Sequence, residues 1–307
     1  VGAGELGGEL ALVDWLAATL PPPPAGEVWI GDDAAVLGPP PPGRRLLFAA
    51  DLGAAGVHFD LTLTSCADAG WKVLASNVSD VAAMGGRPWR CVVAIAGGTA
   101  EQLRGVSEGL AEAAERWSCP LVGGDLSAGD QLVVSVSILG LATRPVLRSG
   151  ARPGDVLLVT GPLGASAAGL RLLRADATAT GPLVDAHRRP DARVEEGVTA
   201  ADAGATAMID VSDGLGLDLH RLALASGIGV ELDLVPAADG ATAAEARGGG
   251  EDYELVMAAP DPGRITRAFA ELGLRPPILV GRCVADTSRR VLDGHPFDPA
   301  GWEHRLD

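Results

Sequence analysis

Lysine is almost missing from this chain. Of its 24 lysine and arginine residues, Lys72 is the sole lysine. A nucleotide-binding loop of the G-x-x-x-x-G-K-[ST] kind needs a lysine after a glycine, and no such stretch occurs, so a P-loop is excluded. Lysine Schiff-base chemistry is excluded too, unless Lys72 performs it. Cysteine is scarce: Cys66, Cys91, Cys119 and Cys283 lie far apart, with no C-x-x-C pair. That spacing favours buried thiols in a reducing cytoplasm over disulfides or a zinc site. No run of about 18 apolar residues is free of charge or turn residues, so no membrane span is expected. The opening stretch VGAGELGGELALVDW carries acids and no basic cluster, and does not read as a signal peptide. Positive charge is short overall, with a formal net charge of −16. This excludes a nucleic-acid backbone as partner. A nucleotide stays open, because divalent cations bridge acids to phosphates.

What is present is a chain of 307 residues, 47% of them hydrophobic, which suits two domains better than one. A helix is expected over 5–20, where Leu10, Val13, Leu16 and Leu20 form a stripe, ended by the prolines at 21–24. EVWIGDDAAVL reads as a strand entering a turn, and RRLLFAAD as a strand. Helical spacing of Trp71, Leu74, Val78 and Val81 predicts a helix over 66–84, with Ser76, Asn77 and Asp80 on a different face. A strand at WRCVVAIA, a helix over 100–117 and a long strand over 131–142 follow. Apolar periodicity lapses and turn residues gather over 143–155, which places a boundary between a domain at 1–145 and another at 146–307. In the second half, DVLLVT, IGVELDL and EDYELVMAA read as strands. GPLGASAAGLRLL reads as a glycine turn into a helix, 175–200 as a surface excursion with a helix, and 263–272 as a helix before two short strands. The expected class is α+β or α/β, with mixed sheets and flanking helices in both domains.

The acids recur at strand ends or beside glycine turns: Asp32 and Asp33 in GDDAAVL, Asp51 in FAADLG, Asp80 in ASNVSDVAAMGG, Asp125 in LVGGDLS, Asp210, Asp213 and Asp218 in MIDVSDGLGLDLH, and Glu251 and Asp252 in GGGEDYEL. Each has a plain reading as a helix N-cap or Asx-turn, and Asp213 could cap the helix that begins GLGLDLH. If they converge, they can share divalent cations and cradle a polyphosphate, with the adjoining glycines letting backbone approach phosphate oxygens.

In combination and in order, GDDAAVL, GVHFD, WKVLASNVSDVAAMGGRP, VGGD, RSGARPGD, TGPLGASAAGL, HRRPDAR, IDVSDGL, GGGEDYEL and GWEH resemble the blocks of the thiamine-monophosphate kinase family, within the aminoimidazole ribonucleotide synthetase-like superfamily. The resemblance runs over nearly the whole chain. It implies that superfamily's two-domain fold, with an N-terminal ATP/Mg²⁺-binding and dimerisation domain and a C-terminal α/β domain completing the active site. It implies transfer of the γ-phosphoryl of ATP to thiamine monophosphate, with several Mg²⁺ ions, by a cytoplasmic homodimer. By the same resemblance Asp33, Asp51, Asp80, Asp125, Asp210 and Asp213 would bind metal. Gly124, Asp125, Arg148 and Ser212 would meet ATP, and His58, Glu251 and Trp302 would meet the acceptor.

Bland readings stand beside these. His58, between Val57 and Phe59, could be a hydrogen-bonded structural residue. Lys72 could be a solvated charge or a structural ion-pair partner. Arg188, Arg189 and Arg193 could be a solvated helix face or contact phosphate. Trp302 could only pack the C-terminus, and GPLGASAAGL reads as a tight strand–helix turn. One departure from the family is plain. Hydroxyl residues usually precede the aspartate matching Asp51, and here Ala49 and Ala50 stand there. That leaves open a sister enzyme with another acceptor, or a non-catalytic nucleotide-binding relative.

Overall fold

The computed structural model describes residues 14–303, apart from 16, 31–33 and 298. Asp32 and Asp33 therefore lie outside the described residues, as does most of the helix expected over 5–20; its described part, at 14, 15 and 17–19, is helical. The chain divides into two compact units, Val1–Val78 with Pro88–Leu141, and Ser79–Arg87 with Ala142–Asp307. A short segment of the first half, Ser79–Arg87, thus belongs with the second unit.

Among the described residues, the first unit has a four-stranded sheet in the order β1-β4-β2-β3. In chain order it is built from β1 (Arg45–Ala54), α1 (Cys66–Ala83, belonging to this unit as far as Val78), β2 (Arg87–Ala96), α2 (Ala100–Arg116), β3 (Leu121–Ser127) and β4 (Val133–Ala142). β4 shows why a sheet forms: Val134, Val136, Ile138 and Ala142 alternate inward while their neighbours stay half-buried. α2 starts at a capping box, in which Thr99 Oγ1 accepts from Gln102 N and Gln102 Oε1 accepts from Thr99 N. The two helices meet backbone to backbone. A Cβ on Gly109 would lie 1.8 Å from the carbonyl oxygen of Ala67, and one on Gly70 would lie 2.2 Å from that of Val106.

EVWIGDDAAVL was expected as a strand entering a turn, but its described residues form isolated bridges, among them one between Val28 and Val36. LVGGDLS was expected as a glycine turn and is a strand instead, β3, running parallel to β2 with Val93 opposite Gly124 and Ala94 opposite Asp125. A Cβ on Gly124 would meet the Val93 carbonyl oxygen at 2.1 Å, so the glycine permits close pairing rather than a turn.

The second unit carries, among the described residues, a seven-stranded mixed sheet in the order β11-β10-β7-β9-β5-β8-β6. Its elements are β5 (Val156–Val159), α3 (Ala165–Ala175), α4 (Pro182–Arg188), α5 (Val194–Ala203), β6 (Ala207–Asp210), α6 (Leu215–Ser226), β7 (Gly229–Leu232), α7 (Ala243–Gly248), β8 (Leu255–Ala259), α8 (Pro262–Glu271), β9 (Ile278–Val284), β10 (Arg290–Leu292) and β11 (His295–Pro296). The central strands are buried on both faces, so they read as continuous apolar runs. Leu157, Ile209 and Val256 share one core with Leu219 and Leu222 of α6. Their neighbours Leu158, Met208 and Met257 share another with Ala200 of α5 and Ile265 and Phe269 of α8. The excursion expected over 175–200 holds two helices, and α5 is largely buried rather than a surface element.

Candidate active site

In the first unit, β1 carries Asp51 with its side chain exposed. Its backbone N donates to Asn77 Oδ1 at 3.0 Å, and Asn77 Nδ2 donates to the Val73 carbonyl at 2.8 Å. Buried Asn77 therefore clips the Asp51 end of the strand to α1. His58 follows in the turn after β1, where its Nδ1 accepts from Ala54 N at 3.1 Å. An accepting Nδ1 puts the ring proton on Nε2. The structural reading of His58 thus holds at Nδ1. Asp125 is exposed on β3 beside Gly124. Lys72, only 5% exposed, is no solvated charge.

In the second unit three chain segments interlock. The first follows β6, all four residues of which are buried, and runs from Asp210 to Gly214. The second is the GGGEDY segment. Glu251 N donates to the Ser212 carbonyl at 2.8 Å, Tyr253 N to that of Val211 at 3.0 Å, and Val211 N to that of Glu254 at 2.8 Å. The approach is so close that a Cβ on Gly250 would lie 2.4 Å from the Ser212 oxygen. The third segment is near the C-terminus: Trp302 N donates to the Asp213 carbonyl at 2.8 Å, while the residue is 55% exposed. Ser212, Asp213, Glu251 and Trp302 are thus brought onto adjoining backbone. Arg148 is exposed, on a segment whose Arg148 carbonyl accepts from Ser226 Oγ at 2.6 Å. Asp80 is half-buried on the α1 turn that belongs to this unit.

The aspartates of MIDVSDGLGLD divide the work. Asp210 Oδ2 accepts from Ser79 Oγ at 2.7 Å. Asp213 does not cap α6. Asp218 takes that task from inside the helix, its Oδ2 accepting from Asp213 N at 2.9 Å and Gly214 N at 3.0 Å. Asp213 pairs instead with Arg221, whose Nη1 also lies 2.8 Å from Asp218 Oδ1. Burial pushes Asp218 up to about 6; the Asp213 N–H lowers it, the charges of Asp210 and Asp213 raise it, and Arg221 opposes them. The crowding of negative charge is therefore real, and one arginine and a helix N-terminus answer part of it.

The GGGEDY segment is held under strain. Glu251 and Tyr253 have φ of 63° and 50°, in the left-handed region that non-glycine residues avoid. Asp252 between them is tied to the start of α3, accepting from Gly164 N at 2.5 Å and Ser166 N at 3.2 Å. Burial pushes Asp252 up to about 7, against the pull of those N–H donors. A carboxyl whose folded value exceeds its ordinary 3.8 stabilises the fold fully below about pH 4 and loses that contribution as pH rises through about 7. Asp252→Asn is expected to remove a decline of up to about 1.4 kcal/mol per pH unit between about pH 4 and 7. Urea unfolding of both proteins across that range reads it, and parallel pH profiles would refute it.

Sequence reasoning missed several neighbours. Arg193 is part-buried rather than a solvated face: its Nη2 lies 2.8 Å from Glu254 Oε1, which Arg275 Nη2 also meets at 2.6 Å. Buried His187 and Ser166 also gather here, both inside blocks that the resemblance quoted but to which no role was given. Spacing gives no signal for such partners, because each lies tens of residues from the group it meets.

Among the described residues, no group of three or more His, Cys, Asp or Glu side chains is disposed to hold a metal ion. An all-protein cage is not what Mg²⁺ asks for: it binds through one or two carboxylates, with phosphate oxygens and water completing its shell. The donors present are carboxylate oxygens, the hard ligands that Mg²⁺ prefers, so they fit that ion. No helix among the described residues is long and apolar enough to cross a membrane.

The chain matches the family models for the AIR synthase related protein N-terminal domain over residues 31–142 and C-terminal domain over 152–293. It is 36% identical to thiamine-monophosphate kinase of Mycobacterium tuberculosis strain H37Rv, covering 96% of this chain and 91% of that one. It is similar in structure to thiamine-monophosphate kinase from Stenotrophomonas maltophilia K279a, with a TM-score of 0.79, 32% identity and coverage of 94% and 96% of the two chains. A structure of AaThiL complexed with AMPPCP and TMP matches with a TM-score of 0.77 and 31% identity over 99% of each chain.

Proposed function

This chain belongs to the thiamine-monophosphate kinase family, and on that premise we propose that it moves the γ-phosphoryl of ATP directly, in line, onto the phosphate of thiamine monophosphate. The observation that carries the reading is the backbone interlock of the Ser212–Asp213 turn with Glu251, which sets residues assigned to ATP and metal beside one assigned to the acceptor. The acceptor is a phosphate oxygen, already anionic near neutral pH, so no strong general base is needed. The task is to bring two anions together and align them. Asp33, Asp51, Asp80, Asp125, Asp210 and Asp213 are the residues to hold Mg²⁺, which when bound offsets the charge between donor and acceptor phosphates. Gly124, Asp125, Arg148 and Ser212 bind ATP, the Arg148 guanidinium by charge-assisted hydrogen bonds to phosphate. Glu251, the Trp302 indole and His58 Nε2 hold the acceptor. With Ala49 and Ala50 before Asp51, water takes the place of the hydroxyl ligands found in the family, which Mg²⁺ accepts readily.

Incubating the protein with ATP, Mg²⁺ and thiamine monophosphate, then separating the products, should yield thiamine diphosphate; thiamine in place of its monophosphate should not react. Tight binding of Mg·ATP with no product would instead favour a non-catalytic relative. Recovery of a phosphorylated protein after ATP treatment would overturn the direct route. The protein is proposed to act in the cytoplasm as a homodimer formed through the first unit. Leu46, Phe48 and Leu52 on β1 support that pairing: all three are exposed, Phe48 to 74%, an apolar strip that a second copy would cover. Sedimentation as a monomer at about micromolar concentration would refute the dimer.

A further inference from the structure

Glu251 has a companion that the reading above does not use. His187 lies on α4, only 8% exposed, with Nδ1 3.1 Å from Ser166 Oγ and 3.6 Å from Glu251 Oε2. Both contacts fall on the same nitrogen. A carboxylate can only accept, so the Glu251 contact is attractive when Nδ1 carries the ring proton, and the Ser166 hydroxyl oxygen can accept from it as well. The imidazole itself is held firmly. Ser166 is 1% exposed at the start of α3, and its backbone N donates to Asp252. α4 rests directly on α3 at Gly169, where a Cβ would lie 2.0 Å from the Leu183 carbonyl oxygen and 3.0 Å from His187 Cβ. The Glu251 backbone is fixed by its N–H to the Ser212 carbonyl and by its left-handed conformation. His187 stands against the Glu251 carboxylate, where it can select one side-chain rotamer.

We propose that His187 is a positioning residue, holding the Glu251 carboxylate toward a cationic, amino-bearing heteroaromatic acceptor. This rests on the assignment of Glu251 to the acceptor and deepens it. Thiamine monophosphate has that chemistry, a permanently charged thiazolium linked to an aminopyrimidine. A carboxylate already held in place loses less side-chain entropy when such a ring arrives. His187 meets Ser166 and the acceptor-assigned Glu251, so its influence is expected on acceptor affinity.

The test compares wild type, His187→Ala, His187→Asn, His187→Gln and Ser166→Ala in steady-state kinetics with both substrates varied, after circular dichroism has verified each fold. His187→Ala should raise KM for thiamine monophosphate about tenfold, with kcat and KM for ATP within about twofold of wild type. His187→Asn, whose amide nitrogen occupies the place of Nδ1, should recover most of that loss; His187→Gln, which mimics Nε2, should not. Ser166→Ala, the milder change, should move KM in the same direction by less. An unchanged acceptor KM in His187→Ala, an equal rise in both KM values, or no recovery in His187→Asn would overturn the inference and leave the kinase reading intact. Should wild type form no product, calorimetric titration with thiamine monophosphate reads the same ordering in Kd. Absence of any binding by wild type would overturn both readings together.

Discussion

Asp210→Asn is expected to lower kcat/KM for phosphoryl transfer by about 100-fold or more while leaving the protein folded. Position 210 closes β6, a strand buried along its whole length, so the carboxylate starts from a backbone with little freedom. Ser79 Oγ donates to it at 2.7 Å and fixes its orientation. An amide keeps the shape and can still accept that hydrogen bond, but carries no charge to hold a cation or offset one. Raising Mg²⁺ should restore only part of the loss. Ser79→Ala, which leaves the charge and removes the orienting hydroxyl, should cost less, about tenfold. Steady-state assays over a range of Mg²⁺, alongside thermal unfolding, read both variants. Activity near that of wild type in Asp210→Asn would remove Asp210 from the metal-binding set.

Glu254→Ala should produce the largest loss of stability, about 3–5 kcal/mol. The carboxylate is buried and accepts from the Thr160 hydroxyl and from two guanidinium groups, those of Arg193 and Arg275. The Arg275 group lies against Gly161, where a Cβ would meet Nη2 at 1.8 Å, and its Nε donates to the Thr160 carbonyl at 2.8 Å. Removing the anion leaves two cations facing each other, the part-buried Arg193 with the poorer access to water. It also removes a hydrogen bond from Arg193, whose buried Nε has no partner of its own. Glu254→Gln should cost less, because it fills the volume and still accepts one hydrogen bond. Glu254→Ala with Arg275→Ala should cost less than the two single losses added together, since one uncompensated cation goes with the anion. Urea unfolding measures these variants together with Arg275→Ala alone, and additive losses would show that the groups do not act as a unit.

The sequence was most readable where one period governs a whole segment. α2 and β4 stand where their apolar spacing placed them, because each buries a single face, and α1 stands there too although it is buried nearly all round. β3 was hidden, since its two glycines look like a turn unless the close approach of Val93 is known. β6 was hidden because four residues buried on both faces show no alternation. Among the site residues, Ser212, Asp213, Glu251 and Trp302 could be named from linear blocks, and they do lie on interlocked backbone. The groups that hold them were not legible. Asp213 read as a possible cap of the helix beginning GLGLDLH, and only the fold shows that Asp218 caps α6 while Asp213 faces Arg221. Arg193 and His187 meet partners more than sixty residues away in sequence, Glu254 and Glu251, across contacts with no periodic trace.

The glycine contacts between α1 and α2 have a mechanical consequence. Even helices separated by side chains transmit strain, because a close-packed interior compresses little, although those side chains can still change rotamer. At Gly70 and Gly109 that freedom is gone, and peptide groups bear directly on one another. A push on α1 there is passed on undamped to Asn77, two turns further along, and from Asn77 to the amide of Asp51. The strand that carries this aspartate is therefore braced on a stiff lever rather than a spring.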